Sequence, residues 1–213
     1  AMRDDMDDFM QILEQTAYQD CIPIKGTFEL TARCNFDCKM CYVHLTEEQI
    51  QKQGRELTNE EWLEIARQAK EAGMLYLTLT GGEVFVRPGF RELYEELSQM
   101  GFLISILSNG YCINESVIEW LQEVPPSLLR ITLYGASDET YEKVCGIKNG
   151  FSKVSHVVDI IKKTEISGIF RKDVVNILGN GVALDLENLW KEMQTVQAQG
   201  VSLTPANLKI SDR

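Results

Sequence analysis

Three cysteines lie within eight residues of one another, at Cys34, Cys38 and Cys41. Three thiolates at this spacing can close around one metal centre on a short loop. On a 4Fe–4S cluster they leave one iron without a protein ligand, and that iron can bind a substrate or cofactor. A structural zinc site usually takes four ligands, and no second cysteine pair accompanies the triplet, although His44 could serve as a fourth ligand. Three buried free cysteines in one loop are the remaining alternative.

A second candidate site is the tripeptide Gly81-Gly82-Glu83, which directly follows a short apolar run. Two glycines let the backbone approach a ligand closely, and a carboxylate can bind an ammonium group. By itself this tripeptide is also typical of an ordinary turn. Its position after a predicted strand, 40 residues beyond Cys41, favours a functional role.

The composition is that of an ordinary globular chain of 213 residues, with 44% hydrophobic and 25% charged residues. No run of about 18 apolar residues occurs, so no membrane span is expected. The 32 acidic residues exceed the 21 basic ones and give a net charge of −11, which argues against nucleic acid as the main partner but allows a small anionic ligand. The acidic first residues contain no apolar signal core, and we expect a cytoplasmic protein.

The elements that must position these residues alternate between short apolar runs and amphipathic stretches. Strand candidates are 27–33, 75–80, 102–107, 128–133, 169–178 and 201–204. Apolar stripes at helical spacing predict helices around residues 6–13, 58–73, 90–97, 117–121, 154–161 and 186–193. The strand 201–204 is expected at the edge of the sheet, where self-association, a partner domain or a covering tail over 205–213 would protect its open backbone groups. The alternation predicts an α/β fold, a partial (β/α)6 TIM-like barrel with parallel strands. Ligands bind at the carboxyl ends of such strands, where both candidate sites lie.

Together, the cysteine triplet and the Gly-Gly-Glu tripeptide resemble the radical S-adenosylmethionine (SAM) superfamily. The resemblance implies that Cys34, Cys38 and Cys41 hold a 4Fe–4S cluster. It implies that the Gly-Gly-Glu tripeptide meets the amino group of the SAM methionine, and that a Ser-Asn-Gly turn lies near the ligand. The SAM-binding residues assigned in this way are Met40, Gly81, Gly82, Glu83, Ser108 and Asn109.

Within the superfamily, the chain looks most like the SPASM-type peptide- and protein-modifying enzymes. Those enzymes carry further cysteines near the C-terminus, whereas this chain has none after Cys145, so a truncated chain and a short form are both open. Tyr134 follows the fourth strand candidate, where such enzymes commonly have Asp. The predicted organisation is an N-terminal helical extension over 1–25 and a radical SAM core domain over 26–213.

The implied activity is reductive cleavage of SAM to a 5′-deoxyadenosyl radical, which modifies a peptide, a protein or a small molecule. The implied partners are that substrate and an electron donor such as flavodoxin or ferredoxin, with no nucleic acid and no membrane. No catalytic residue beyond the cofactor site is assigned. The alternative is an iron–sulfur or zinc-binding module without turnover.

Three further residues have open interpretations. Cys112 follows the Ser-Asn-Gly turn and either lines the pocket or is an ordinary half-buried thiol. Cys145 lies on an amphipathic stripe, which indicates core packing. Arg87 follows Glu83 closely and either reaches a carboxylate or lies on the surface.

Overall fold

Four short strands form one parallel sheet in the computed structural model, which describes residues 12–41, 43, 45–164, 176–178, 194 and 208–210. The strands are β1 (Lys25–Glu29), β2 (Tyr76–Thr80), β3 (Leu103–Ser108) and β4 (Leu128–Ile131). Their order in the sheet is their order in the sequence, and every neighbouring pair is parallel. The predicted α/β class with parallel strands is therefore confirmed.

Helices connect the strands, as parallel pairing requires. After α1 (12–19), which precedes β1, the helices α2 (Glu47–Gln53) and α3 (Asn59–Glu71) join β1 to β2, α4 (Phe90–Gln99) joins β2 to β3, and α5 (Glu115–Glu123) joins β3 to β4. The helices α6 (Asp138–Cys145) and α7 (Gly150–Ile161) follow β4. The predicted start of α3 is confirmed, because the Thr58 hydroxyl accepts from the Glu61 amide and the Glu61 carboxylate accepts from the Thr58 amide. No helix in the described part of the chain has the length and apolar character needed to cross a bilayer.

The main core lies between the sheet and the helices. Alternate strand residues such as Leu79 and Ile106 are buried, and apolar faces of α3, α4, α5 and α7 pack on them. The Tyr94 hydroxyl donates to the Val124 carbonyl oxygen at 2.8 Å, which satisfies the one polar atom of an otherwise apolar, buried ring. This packing fixes the strand ends that carry the candidate site.

The first strand is shorter than predicted, since β1 ends at Glu29 and the prediction extended to residue 33. Beyond β1 the backbone still bonds to the segment after β2, but outside the regular ladder. The Leu30 amide donates to the Thr80 carbonyl oxygen. The carbonyl oxygens of Thr31 and Arg33 accept from the amides of Gly82 and Glu83, in the loop after β2. Residues 30–33 therefore begin the loop that carries the cysteines.

Towards the C-terminus the described residues include two more strands, β5 (Asn176–Leu178) and β6 (Leu208–Ile210), which pair in parallel as a separate two-stranded sheet. β5 lies within the predicted strand 169–178. β6 was not predicted, because a three-residue alternation of Leu208, Lys209 and Ile210 is too short to stand out in the sequence. The predicted strand 201–204 and the predicted helix around 186–193 lie outside the described residues.

Candidate metal centre

The cysteine loop, residues 34–41, follows β1 at the carboxyl end of the sheet. The amides of Asp37 and Lys39 donate to the carbonyl oxygens of Cys145 and Val144, each at 3.0 Å. These carbonyls belong to the last turn of α6, which has no partners of its own for them. The end of α6 therefore holds the cysteine loop in place.

An aromatic cluster supports the loop from beneath. The Phe36 ring is buried and packs edge-on against Tyr111, Tyr134 and Tyr141, with centroids 5.5, 5.9 and 6.3 Å away. Such contacts bury a large apolar area and favour one ring orientation. Phe36 thereby anchors the middle of the loop, between Cys34 and Cys38.

The three thiols differ in exposure: Cys34 and Cys38 are partly buried and Cys41 is exposed. Burial raises the pKa of Cys34, and nearby negative charge on Glu83, Cys38 and Cys41 raises it further. The Phe36 amide donates to the Cys34 sulfur at 3.4 Å and opposes this rise. The three predicted ligands are thus within electrostatic reach of one another, although no three His, Cys, Asp or Glu side chains of the described residues are arranged to hold a single metal ion.

Cys38 has two partners that the sequence did not indicate. Burial raises its pKa, while hydrogen bonds with the Cys145 thiol and the Tyr134 hydroxyl lower it. Cys145 is fully buried, so the prediction that it belongs to the core is confirmed, but its contact with Cys38 was not predicted. The residues are distant in sequence, and only the packing of α6 under the loop brings them together.

Glu83 is a buried carboxylate that lies between the ends of β2 and β3. It is only 1% exposed. Its Oε1 accepts from the Ser108 hydroxyl at 2.9 Å and the Phe85 amide at 3.1 Å, and its Oε2 accepts from the Asn109 amide at 2.7 Å. Burial raises the pKa of Glu83, and the three hydrogen bonds oppose that rise. Glu83 therefore ties the loop after β2 to the end of β3.

Among the described residues, only neutral groups donate hydrogen bonds to Glu83, and no Lys or Arg side chain forms an ion pair with it. Two carboxylate oxygens offer about four acceptor positions, so capacity remains beyond the three bonds. A buried carboxylate without a cation is costly. The arrangement can consequently receive a positively charged group.

Asn109 connects this carboxylate to the cysteine loop. Its Nδ2 donates to Asn35 Oδ1 at 2.8 Å and lies 3.7 Å from the Cys34 sulfur. The neighbouring Asn35 Nδ2 is buried and has no hydrogen-bond partner. Buried N–H groups normally have an acceptor. Two amide donors beside Cys34, one of them unsatisfied, fit a cluster whose thiolate and sulfide sulfurs accept hydrogen bonds.

The glycines lie against the chain's own backbone. A Cβ added to Gly81 would come 2.4 Å from the Thr31 carbonyl oxygen, and one added to Gly82 would come 2.2 Å from that of Arg33. Hydrogen bonds from the Gly82 and Glu83 amides to these carbonyls, at 2.7 and 2.8 Å, join the same segments. The structure thus gives the glycines a packing role between the two loops, and their contact with SAM stays a prediction.

The remaining assigned residues lie around this junction. Ser108 and Asn109 are buried, whereas the Met40 side chain is 64% exposed on the cysteine loop. Cys112 is partly buried, and its pKa is raised by burial and by the charge of Glu83, which places it near the site. His44 lies outside the described residues.

Arg87 is buried, so a surface position is wrong. Its guanidinium donates to Asn59 Oδ1 at 2.6 Å and to the Leu57 carbonyl oxygen at 3.0 Å. It therefore fastens the segment after Glu83 to the start of α3.

Known proteins share the sequence pattern and the fold of this chain. The sequence pattern of the Radical SAM superfamily matches residues 28–195. The sporulation killing factor maturation protein SkfB of Bacillus subtilis (strain 168) is 28% identical over 145 residues, which cover 68% of this chain and 34% of SkfB. The PqqA peptide cyclase of Granulibacter bethesdensis is 27% identical over 176 residues, which cover 83% of this chain and 44% of the cyclase.

Solved structures share the fold. The chain superimposes on Streptococcus suis SuiB bound to its precursor peptide SuiA with a TM-score of 0.62 at 15% identity, covering 88% of this chain and 40% of SuiB. It superimposes on anSMEcpe with bound AdoMet with a TM-score of 0.59 at 18% identity, covering 87% of this chain and 50% of that protein. The chain therefore spans half or less of the length of each of these four proteins. Because the superfamily pattern covers more than half of the sequence, this chain belongs to the radical SAM superfamily.

Proposed function

We propose that the cysteine loop binds a 4Fe–4S cluster through Cys34, Cys38 and Cys41, and that SAM binds beside it at the carboxyl ends of β1 to β3. When bound, the cluster would supply one electron to the SAM sulfonium, and cleavage would yield methionine and a 5′-deoxyadenosyl radical. The observation that carries this proposal is the junction of the cysteine loop with Glu83 and Asn109, in which the Cys34 thiol is within electrostatic reach of a buried carboxylate.

The chain's own residues have separable tasks in this proposal. Glu83 provides a negative charge that has only neutral donors among the described residues, and it would attract the ammonium group of SAM. Gly81 and Gly82 hold the loop after β2 against the cysteine loop, so that this charge stays close to the cluster ligands. Met40, exposed on the cysteine loop, would contact the adenine.

Water is excluded from part of this site by the residues beneath it. Phe36, Tyr134 and Tyr141 form an aromatic cluster, and Cys145 is completely buried among them. An apolar floor limits access of solvent and of stray hydrogen donors to a reactive intermediate. The floor would also hold Cys34 and Cys38 in a partly dehydrated setting, where hydrogen bonds to sulfur are stronger than in water.

We further propose a peptide as the substrate. The proteins most useful for this inference are the PqqA peptide cyclase and SuiB bound to the precursor peptide SuiA, since their names state a peptide partner. An electron donor such as flavodoxin or ferredoxin would supply the electron for each turnover. Peptide modification would involve the full length of such an enzyme, of which this chain matches less than half in those two proteins.

Anaerobic reconstitution tests the proposal. Wild-type protein is expected to bind about four irons and four sulfides per chain and to release 5′-deoxyadenosine from SAM when dithionite is added. Cys38→Ala should lose the cluster, while Cys21→Ala should not, because Cys21 is exposed and precedes β1 at the opposite end of the sheet. One tightly bound zinc that iron does not replace, or a full cluster that releases no 5′-deoxyadenosine, would overturn the proposal and favour a binding module.

A further inference from the structure

Asn109 contacts both the Glu83 carboxylate and the Cys34 sulfur. Its main-chain amide donates to Glu83 Oε2 at 2.7 Å, and its side-chain Nδ2 lies 3.7 Å from the Cys34 sulfur. Both atoms belong to one residue, which directly follows β3 and so contacts both sides of the site. The residue is 5% exposed, which leaves it little room to rearrange.

The orientation of the Asn109 amide is determined by its neighbours. Its Oδ1 accepts from the Tyr111 amide at 2.9 Å, and its Nδ2 donates to Asn35 Oδ1 at 2.8 Å. A flipped amide would place a donor against the Tyr111 donor and an acceptor against the Asn35 acceptor. The NH₂ group therefore faces the cysteine loop, and its second hydrogen is available to the Cys34 sulfur.

The same sulfur has a different partner when it carries a proton. In the free thiol, Cys34 donates towards Asn35 Oδ1 over 3.9 Å. A metal-bound thiolate has lost that proton and can only accept. Asn109 Nδ2 and the Phe36 amide, 3.7 and 3.4 Å from the sulfur, are then its hydrogen-bond donors among the described residues.

We propose that Asn109 is a positioning residue that fixes the Cys34 sulfur against the Glu83-anchored end of β3 and, through its amide donor, keeps the cluster easier to reduce. This inference rests on the proposed function. A reduced cluster carries one more negative charge than the oxidised one, so a donor to a ligating sulfur stabilises the reduced state more and makes the reduction potential less negative. Residues behind metal ligands commonly act on a metal centre in this way.

The test is an EPR-monitored redox titration of reconstituted wild type, Asn109→Asp and Asn109→Ala. Asn109→Asp keeps an oxygen for the Tyr111 amide but turns a second oxygen towards Cys34, so its potential should become more negative than that of wild type. Asn109→Ala removes the donor without adding charge, and its potential should lie between the two. Asn114→Ala is the matched control, because Asn114 caps α5 through a 3.0 Å bond from the Val117 amide and lies away from the cysteine loop.

The outcomes separate this inference from the proposed function. If the wild type takes up no cluster, the proposed function fails. If the wild type and both Asn109 variants hold full clusters with the same potential, only the role of Asn109 is overturned. Folded Asn109 variants that lose iron while Asn114→Ala retains it would support the positioning role.

The wild-type protein offers a readout that needs no variant. Replacing ¹⁴N-asparagine by ¹⁵N-asparagine should convert a ¹⁴N hyperfine coupling of the reduced cluster into a ¹⁵N coupling. Absence of any asparagine coupling in the wild type would overturn the inference even if both variants failed to fold.

Discussion

Gly82 and Arg33 are so close that a single methyl group on Gly82 would lie 2.2 Å from the Arg33 carbonyl oxygen. The contact joins the loop after β2 to the loop that carries the cysteines. It explains why a residue without a side chain is needed at a point where the sequence alone suggested an approach to a ligand. The spacing between Glu83 and the cysteine triplet is therefore set by backbone packing.

Gly82→Ala is expected to force these loops apart. Overpacking of this kind typically costs about 1–3 kcal/mol of unfolding free energy. The displaced cysteine loop should also take up less iron on reconstitution. Chemical denaturation and iron analysis provide the two measurements.

Gly54→Ala is the control for that experiment. Nothing lies within 4 Å of a Cβ added there, although its φ of 96° makes the substitution strained. It should lower stability through backbone strain alone and leave iron uptake unchanged. Equal iron uptake by the Gly82 and Gly54 variants would contradict the packing role of Gly82.

Tyr134→Phe removes the hydroxyl that bonds to Cys38. Because this hydrogen bond lowers the pKa of Cys38, its loss should raise that pKa, and alkylation of Cys38 in cluster-free protein should then need a higher pH. Mass spectrometry of the alkylated peptide, measured as a function of pH, would follow Cys38 alone. The expected loss of stability is about 0.5–1.5 kcal/mol, as for one ordinary hydrogen bond.

Tyr94→Phe provides the comparison, since the Tyr94 hydroxyl donates to Val124 in the main core. It should lose a similar amount of stability and leave the alkylation profile of Cys38 unchanged. The same profile for both variants would mean that Tyr134 does not bond to the sulfur.

Glu83→Ala tests the proposed ammonium contact. Loss of a charge-assisted hydrogen bond should weaken SAM binding by about 1.5–3 kcal/mol, which calorimetry on cluster-loaded protein would measure. Glu95→Ala is a suitable control, because the Glu95 carboxylate also accepts a hydrogen bond, from the Trp120 indole at 2.8 Å, but lies on α4. Unchanged affinity in the Glu83 variant would remove this carboxylate from the SAM site.

The sequence predicted the parts of the site that lie close together along the chain. The cysteine spacing and the position of Glu83 after a strand followed from local patterns, as did the capping box at Thr58. The contacts of Cys38 with Tyr134 and Cys145 did not, because they depend on how α6 packs under the loop.

The sequence also could not predict which groups donate and which accept hydrogen bonds in the site. The turn at Asn109 indicated a place near a ligand, but its link to Cys34 depends on the amide orientation that Tyr111 and Asn35 impose. For Arg87 the sequence left a carboxylate contact and a surface position open, and the structure instead buries it against Asn59 and Leu57. Short-range patterns identify elements and motifs, whereas the partners of polar side chains require the packed structure.

The raised pKa of Glu83 predicts a pH dependence of stability with a definite sign. In cluster-free protein, burial raises this pKa above the ordinary value of 4.5, so the folded state binds the proton more tightly than the unfolded state. The resulting contribution to stability is fully present below the ordinary pKa and is lost as pH rises through the folded value. The stability of wild type relative to Glu83→Gln should therefore decrease from pH 4.5 upwards in urea unfolding experiments.

Glu61 should show the opposite trend and serves as the control. A hydrogen bond from Arg55 is the main cause that lowers its pKa to about 2, so its contribution is present above 4.5 and is lost as pH falls towards 2. The stability of wild type relative to Glu61→Gln should consequently increase with pH over that range. A flat difference for Glu83→Gln would mean that the hydrogen bonds from Asn109, Phe85 and Ser108 balance burial, and a difference that increases with pH, as for Glu61→Gln, would mean that they outweigh it. The carboxylate would then be held ready in its charged form before any ligand binds.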